Sequence, residues 1–232
     1  MNILTLVLDS RIPNFAMAKV RKFHEDKGDE VRDLPLYSVW ADKIYVSVVF
    51  DWNKHLADEW EGRAVIGGSG WDLKVQLPPE IESVQPHMNW GFTTRGCIRN
   101  CPFCVVPRKE GQISIVDDVL GIWDGKSKDI TLMDNNILAS PQEHQDRIFA
   151  QLRDNGLRVD FNQGLDHRLI TKENAQQLKL VRHKEYHFAF DHPCMQGSVD
   201  TAIDHLHHAG INRSIWYVLV GYNTTIEQDW RA

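Results

Sequence analysis

Three of the chain's four cysteines fall in one short stretch, Thr93-Thr94-Arg95-Gly96-Cys97-Ile98-Arg99-Asn100-Cys101-Pro102-Phe103-Cys104. Their spacing is Cys, three residues, Cys, two residues, Cys. The first residues carry no basic flank or long apolar run of a secretory signal. Thiols this close in such a chain point to metal ligation more than to disulfide pairing. Three thiolates can hold three irons of a 4Fe–4S cluster, which usually takes four cysteines. One iron is then left open for a substrate or cofactor.

The chain around this stretch has 232 residues, 42% hydrophobic and 25% charged, which is ordinary for a globular protein with a sizeable core. No apolar run approaches a membrane span, and a reducing cytoplasm is the expected compartment. Formal net charge is −6. Residues 1–90 carry 10 basic and 14 acidic side chains. Neither half has the basic excess of a general nucleic-acid binder, so no membrane and no general nucleic-acid partner is expected. Arg95, Arg99, Arg108 and Lys109 flank the cysteines. They read equally as solvated loop charge or as compensation for an anionic cluster or a carboxylate ligand.

Periodicity divides the chain into residues 1–75, a Pro-rich linker over 76–90 and a second unit over 91–232. In the first, Ile3–Leu8 and Ile44–Phe50 read as buried strands and 64–66 as a shorter one. A helix opens at Pro13-Asn14 and stops at Lys27-Gly28. Asn53–Trp60 is a short helix. The Gly67-Gly68-Ser69-Gly70 that follows lacks the Lys and Ser/Thr of a phosphate-binding loop and reads as a strand-to-loop turn. In the second, strands are expected at 90–94, 129–133, 157–161, 185–190 and 214–220, each followed by a helix. Ser114 and Ser140 are expected helix caps, as is Thr171. Polar or glycine-rich residues end every strand. The fold class is therefore α/β: a small Rossmann-like parallel sheet followed by a partial (β/α) TIM-type barrel, cut short at about five strands.

Four chemistries compete for the cysteines. A structural zinc site needs a fourth ligand at fixed spacing, whereas Cys194 lies 90 residues on and the eleven histidines are scattered. Cys101-Pro102-Phe103-Cys104 resembles the glutaredoxin pair, a thiol–disulfide or electron-transfer module, but leaves Cys97 without a role. A purely structural cysteine cluster is the third. A site-differentiated iron–sulfur cluster is the fourth.

The motif Cys97-x3-Cys101-x2-Cys104 after a first barrel strand resembles the signature of the radical S-adenosylmethionine superfamily, and the resemblance covers residues 91–232. It implies that Cys97, Cys101 and Cys104 ligate a 4Fe–4S cluster whose fourth iron binds S-adenosylmethionine. It implies reductive cleavage to a 5′-deoxyadenosyl radical that abstracts hydrogen from a substrate, with methylation or methylthiolation as outcomes and a flavodoxin or ferredoxin as reductant. By position, Phe103 would pack near the adenine. Asp134, Asn135 and Asn136 would take the methionyl ammonium where the family often has Gly-Gly-Glu. Gln163 and Asp166 follow the third strand with Arg168, which would pair with the methionyl carboxylate. Asp191 would contact ribose, and Gly221 would lie near the adenine. Phe188 and Phe190 read as core, and no catalytic side chain is singled out. A truncated, non-catalytic iron–sulfur protein is the other reading of the shortened barrel.

Residues 1–75 are similar in pattern to the cobalamin-binding-type domain that precedes the barrel in one branch of the superfamily. Ser47-Val48-Val49 and Gly67-Gly68 echo its elements. Its Asp-x-His-x-x-Gly ligand motif is replaced by Asp9-Ser10-Arg11-Ile12-Pro13-Asn14, so cobalamin is not expected.

Overall fold

The computed structural model describes residues 1–231. The chain forms two compact units that divide after Pro86, and both are α/β with parallel sheets. Among the described residues no helix is long and apolar enough to cross a membrane.

The first unit holds β1 (Asn2–Val7), α1 (Phe15–Asp26), β2 (Glu30–Arg32), β3 (Lys43–Ser47), β4 (Val65–Gly67) and α2 (Pro79–Glu82). The sheet order is β2-β1-β3-β4 with every pair parallel. β1 is mostly apolar, with Ile3, Leu4 and Leu6 buried, because both its faces are covered. Leu4 and Leu6 pack with Ile44, Val46 and Trp60 on one side, and Ile3 packs with Val20, Tyr45 and Ile81 on the other. Asn14 caps α1 by accepting from Met17 N.

Three expectations change here. Strand β3 ends at Ser47, not Phe50, because the Val49 and Phe50 amides leave the ladder and donate to the Asp9 carboxylate at 2.9 and 2.8 Å. The expected helix over 53–60 is a 3-10 run, Asp51–Trp60. Part of the expected linker belongs to the fold: α2 buries Ile81 in the core, and Glu82 Oε1 accepts from Lys19 Nζ at 2.8 Å.

The second unit holds β5 (Trp90–Gly91), β6 (Thr94–Arg95), α3 (Val106–Lys109), β7 (Ser114–Ile115), α4 (Val119–Ile122), β8 (Asp129–Leu132) and α5 (Gln142–Asp154). It continues through β9 (Arg158–Phe161), α6 (Lys172–Leu180), β10 (Arg182–His183), β11 (His187–Phe190), α7 (Gln196–His208), β12 (Ile215–Val218) and α8 (Ile226–Arg231). One parallel sheet runs β10-β9-β8-β5, and β11 pairs parallel with β12. A parallel bridge from Leu165 to Phe188 joins the two. Strands β5, β8 and β9 thus lie side by side in chain order, with β10 on the outer side of β9. One strand face packs Ile130, Leu132, Val159, Phe161 and Phe188 against Ile148, Phe149, Leu152, Leu178 and Leu206 of α5, α6 and α7. Phe188 and Phe190 are buried, as expected of core residues.

The expected strand over 90–94 splits in two. β5 stays on the parallel sheet, while β6 turns away and pairs antiparallel with β7. That pairing removes Ser114 from the cap role expected of it. Asp118 caps α4 instead, accepting from Leu120 N and Gly121 N. Ser140 is not a cap either. Its hydroxyl donates to Ile137 O, and the Pro141 carbonyl takes the first α5 amides. Thr171 does cap α6, in a reciprocal box with Asn174.

Candidate functional site

A pocket of about 250 Å³ opens at the carboxyl ends of β8, β9 and β11. Its wall holds Cys97, Cys101 and Cys104, all with free thiols. Opposite them come Asn135 and Asn136 after β8, Gln163, Asp166 and Arg168 after β9, and Asp191 after β11. Phe103, Phe188 and Tyr217 are its aromatic members.

The triplet Asp134-Asn135-Asn136 builds the cysteine wall, one residue at a time. The Asp134 carboxylate accepts from the amides and hydroxyls of Thr93 and Thr94, with hydroxyl distances of 2.6 and 2.7 Å. Asn135 Oδ1 accepts from Gly96 N at 2.9 Å. Asn136 Nδ2 donates to Cys97 Sγ at 3.4 Å and to Asp166 Oδ2 at 3.1 Å. At its far end the loop is closed by a bidentate Arg95–Glu110 pair at 2.7 and 2.8 Å. Between these anchors the chain must pass against Gln112. Gly96 has φ +85°, and a Cβ there would sit 2.3 Å from Gln112 O, so only glycine fits.

This arrangement corrects one expected ligand contact. Asp134 does not line the pocket: it is 4% exposed, and its oxygens are taken by the threonines. Burial pushes its carboxyl up, against the pull of those four hydrogen bonds. Behind it, buried His144 faces Thr93 Oγ1 through Nε2 at 3.2 Å and Arg147 through Nδ1. Burial, then Arg147, lowers the pKa of this imidazole, and because Arg147 can only donate, Nδ1 is the accepting nitrogen. Its Nε2–H then donates to Thr93, whose own hydroxyl donates to Asp134. Gly221 also stands apart from the pocket lining, with its amide donating to Asp229 Oδ2 at 2.9 Å.

The other expected residues come together. Asp166 is the charged centre, accepting from Arg168 Nε at 2.6 Å and Arg99 Nε at 2.8 Å. Burial raises its carboxyl, but the two guanidiniums outweigh burial and hold it below the ordinary range. Asp191 is pushed the other way: burial raises it, and Arg168 and His167 compensate only in part. The Cys101 thiol is raised chiefly by burial, with Asp191 and the other two cysteines adding to it and Arg168 opposing. Phe103 is half-exposed and meets the Tyr222 ring edge-on at 5.2 Å. Of the flanking cations, Arg95 and Lys109 face Glu110 and Arg99 faces Asp166, which places all three in ion pairs.

Two contributors escaped the sequence reading. Tyr217 enters the wall because it lies opposite Ala189 in the β11–β12 register. The period-two step back from Asp191 to Ala189 is the signal that could have found it. His144 acts only through a tertiary contact with Thr93, for which the sequence carries no sign.

The residues present suit a thiolate-bound cluster and a charged organic ligand. Cys97 Sγ accepts two N–H groups, from Asn136 Nδ2 and from Arg99 N at 3.3 Å. Asn136 Oδ1 is buried in the pocket wall without a partner, an acceptor waiting for a donor. Among the described residues, no three His, Cys, Asp or Glu side chains converge as they would around one metal ion. No protein-family model and no curated protein matches this chain.

Proposed function

We propose that the chain is a radical S-adenosylmethionine protein, its second unit a partial barrel and its first a Rossmann-like unit. In this reading Cys97, Cys101 and Cys104 hold a 4Fe–4S cluster. The observation that carries it is convergence: one pocket gathers all three cysteines with polar residues that follow the parallel strands β8, β9 and β11. A dithiol module would need only Cys101 and Cys104, and it gives no reason for Cys97 to be held by two N–H donors.

When bound, the cluster and S-adenosylmethionine supply a one-electron route to a carbon radical that takes hydrogen from a substrate. The chain's own groups bind and orient. Arg168 spends Nε on Asp166 and keeps its terminal nitrogens for a ligand carboxylate. Asn136 Oδ1 accepts from a ligand ammonium. Asp191 has no donor among the described residues and accepts from ligand hydroxyls. Phe103 and Tyr217 give an aromatic wall suited to a purine.

The test is anaerobic reconstitution with iron and sulfide, then addition of S-adenosylmethionine and a reductant. The expected product is 5′-deoxyadenosine. Absence of a cluster together with a reversible Cys101–Cys104 disulfide overturns the reading in favour of a dithiol module. A cluster without cleavage leaves a non-catalytic iron–sulfur protein.

A further inference from the structure

Resting on the cluster reading, we infer that Asn136 is a positioning residue for the Cys97 sulfur, and that its amide makes the reduction potential of the bound cluster more positive. Asn136 is 3% exposed. Its amide orientation is decided by chemistry, because Asp166 Oδ2 is a carboxylate oxygen and can only accept. One Nδ2 hydrogen therefore goes to Asp166, and the other points to Cys97 Sγ. The amide cannot swing away. Asp166 is gripped by Arg99 and Arg168, and the next residue back, Asn135, is tied to Gly96. The Arg99 amide meets the same sulfur, so Cys97 receives two N–H groups. Reduction adds negative charge to cluster and sulfurs. Hydrogen bonds to a ligating sulfur stabilise the reduced state and shift the potential upwards.

Potentiometric titration of the reconstituted protein, followed by the electron paramagnetic resonance signal of the reduced cluster, tests this. Asn136→Leu keeps the branched outline of the side chain and removes both hydrogens. Its cluster is expected at a more negative midpoint potential than wild type, by a shift larger than the scatter between repeat titrations. Thr93→Val loosens the loop without touching sulfur, and is expected to lower cluster content while keeping the wild-type potential. An Asn136→Leu cluster at the wild-type potential overturns the inference while leaving the cluster reading intact. Equal shifts in Asn136→Leu and Thr93→Val overturn it too, because they would reflect loop disorder. If Asn136→Leu does not fold, Asn136→Ala, which also removes both hydrogens, is read by the same criterion. A wild-type protein that assembles no cluster removes the cluster reading and this inference together.

Discussion

Both units end parallel strands in polar loops, but they treat those ends in opposite ways. In the first, the chain departs from β1 in one direction to β2 and in the other to β3, the kind of crevice where α/β sheets receive ligands. The protein fills it itself. Asp9 takes the Val49 and Phe50 amides, Asn14 donates to Ser47 Oγ at 2.9 Å, and the glycine turn lies on the β3 exit. A Cβ on Gly68 would sit 2.2 Å from Val48 O, and one on Gly70 would sit 2.4 Å from Phe50 backbone atoms. In the second unit, among the described residues, the strand ends keep an unspent amide oxygen, a carboxylate without a donor and three thiols. Location at a strand end makes a binding site possible, and leftover hydrogen-bonding capacity distinguishes the two cases.

The largest effects should come from the thiols. Replacing Cys97, Cys101 or Cys104 by alanine is expected to abolish visible iron–sulfur absorbance and S-adenosylmethionine cleavage. Cys194→Ala, at an exposed position outside the pocket, is expected to leave both at wild-type levels. A Cys97→Ala variant that keeps a full cluster would break the contrast, because Cys97 would then not be a ligand.

Gly96→Ala should come next. It forces a left-handed conformation on an L side chain and drives a methyl into Gln112 O. Strain of this sort costs about 1–3 kcal/mol. Relief requires opening the cysteine loop, so iron content per chain is expected to fall together with the urea midpoint. A fully loaded, fully stable Gly96→Ala would show that the loop does not need this passage.

The elements legible in the sequence were those that depend on local pattern. Helix α6 with its Thr171 cap, the apolar runs of β1 and β8, and the cysteine spacing all rest on residues within a few positions of one another. What was not legible depends on partners far along the chain. Asp134, 41 residues from Thr93, strips two amides from the expected first strand. Asp9 does the same to β3 from about 40 residues away. The Ser140 cap failed for a related reason: its hydroxyl found the Ile137 carbonyl first. In the site, the polar strand ends could be placed in order, but their division of labour could not. Position alone put Asp134, Asn135 and Asn136 in one role, whereas hydrogen bonding separates Asp134, whose oxygens are taken by the threonines, from the equally buried Asn136, whose Oδ1 has no partner.

The two carboxylates that divert these strands give a matched pair. Asp134→Ala would leave two buried amides and two hydroxyls of Thr93 and Thr94 without acceptors. Asp9→Ala would do so for two half-buried amides. A lost acceptor of this kind costs about 1–3 kcal/mol, and Asp134 should stand at the upper end because it is more deeply buried. Urea denaturation would give the ranking. Iron content adds the discriminating reading: it is expected to drop in Asp134→Ala and to hold in Asp9→Ala.

The smallest effect, and the sharpest contrast inside the pocket, is the pH dependence of Asp166 and Asp191 in the metal-free protein. Asp166 has a folded-state pKa below its unfolded value of about 3.9. Its ion pairs stabilise the fold above that pH and are lost as pH falls through the folded value. Asp191 has a folded-state pKa above its unfolded value, with burial as the first cause. Its contribution is present below the unfolded value and is lost as pH rises through the folded one. Asp191→Asn removes that loss. The variant should match wild type near pH 4 and exceed it at pH 7 by less than about 1 kcal/mol, since the group is partly solvated. Asp166→Asn should show the opposite trend, falling further behind wild type as pH rises from 3 to 6. Chemical denaturation across this range reads both slopes. Equal slopes would mean that the two carboxylates share one environment, and the division between a saturated Asp166 and an unspent Asp191 would be lost.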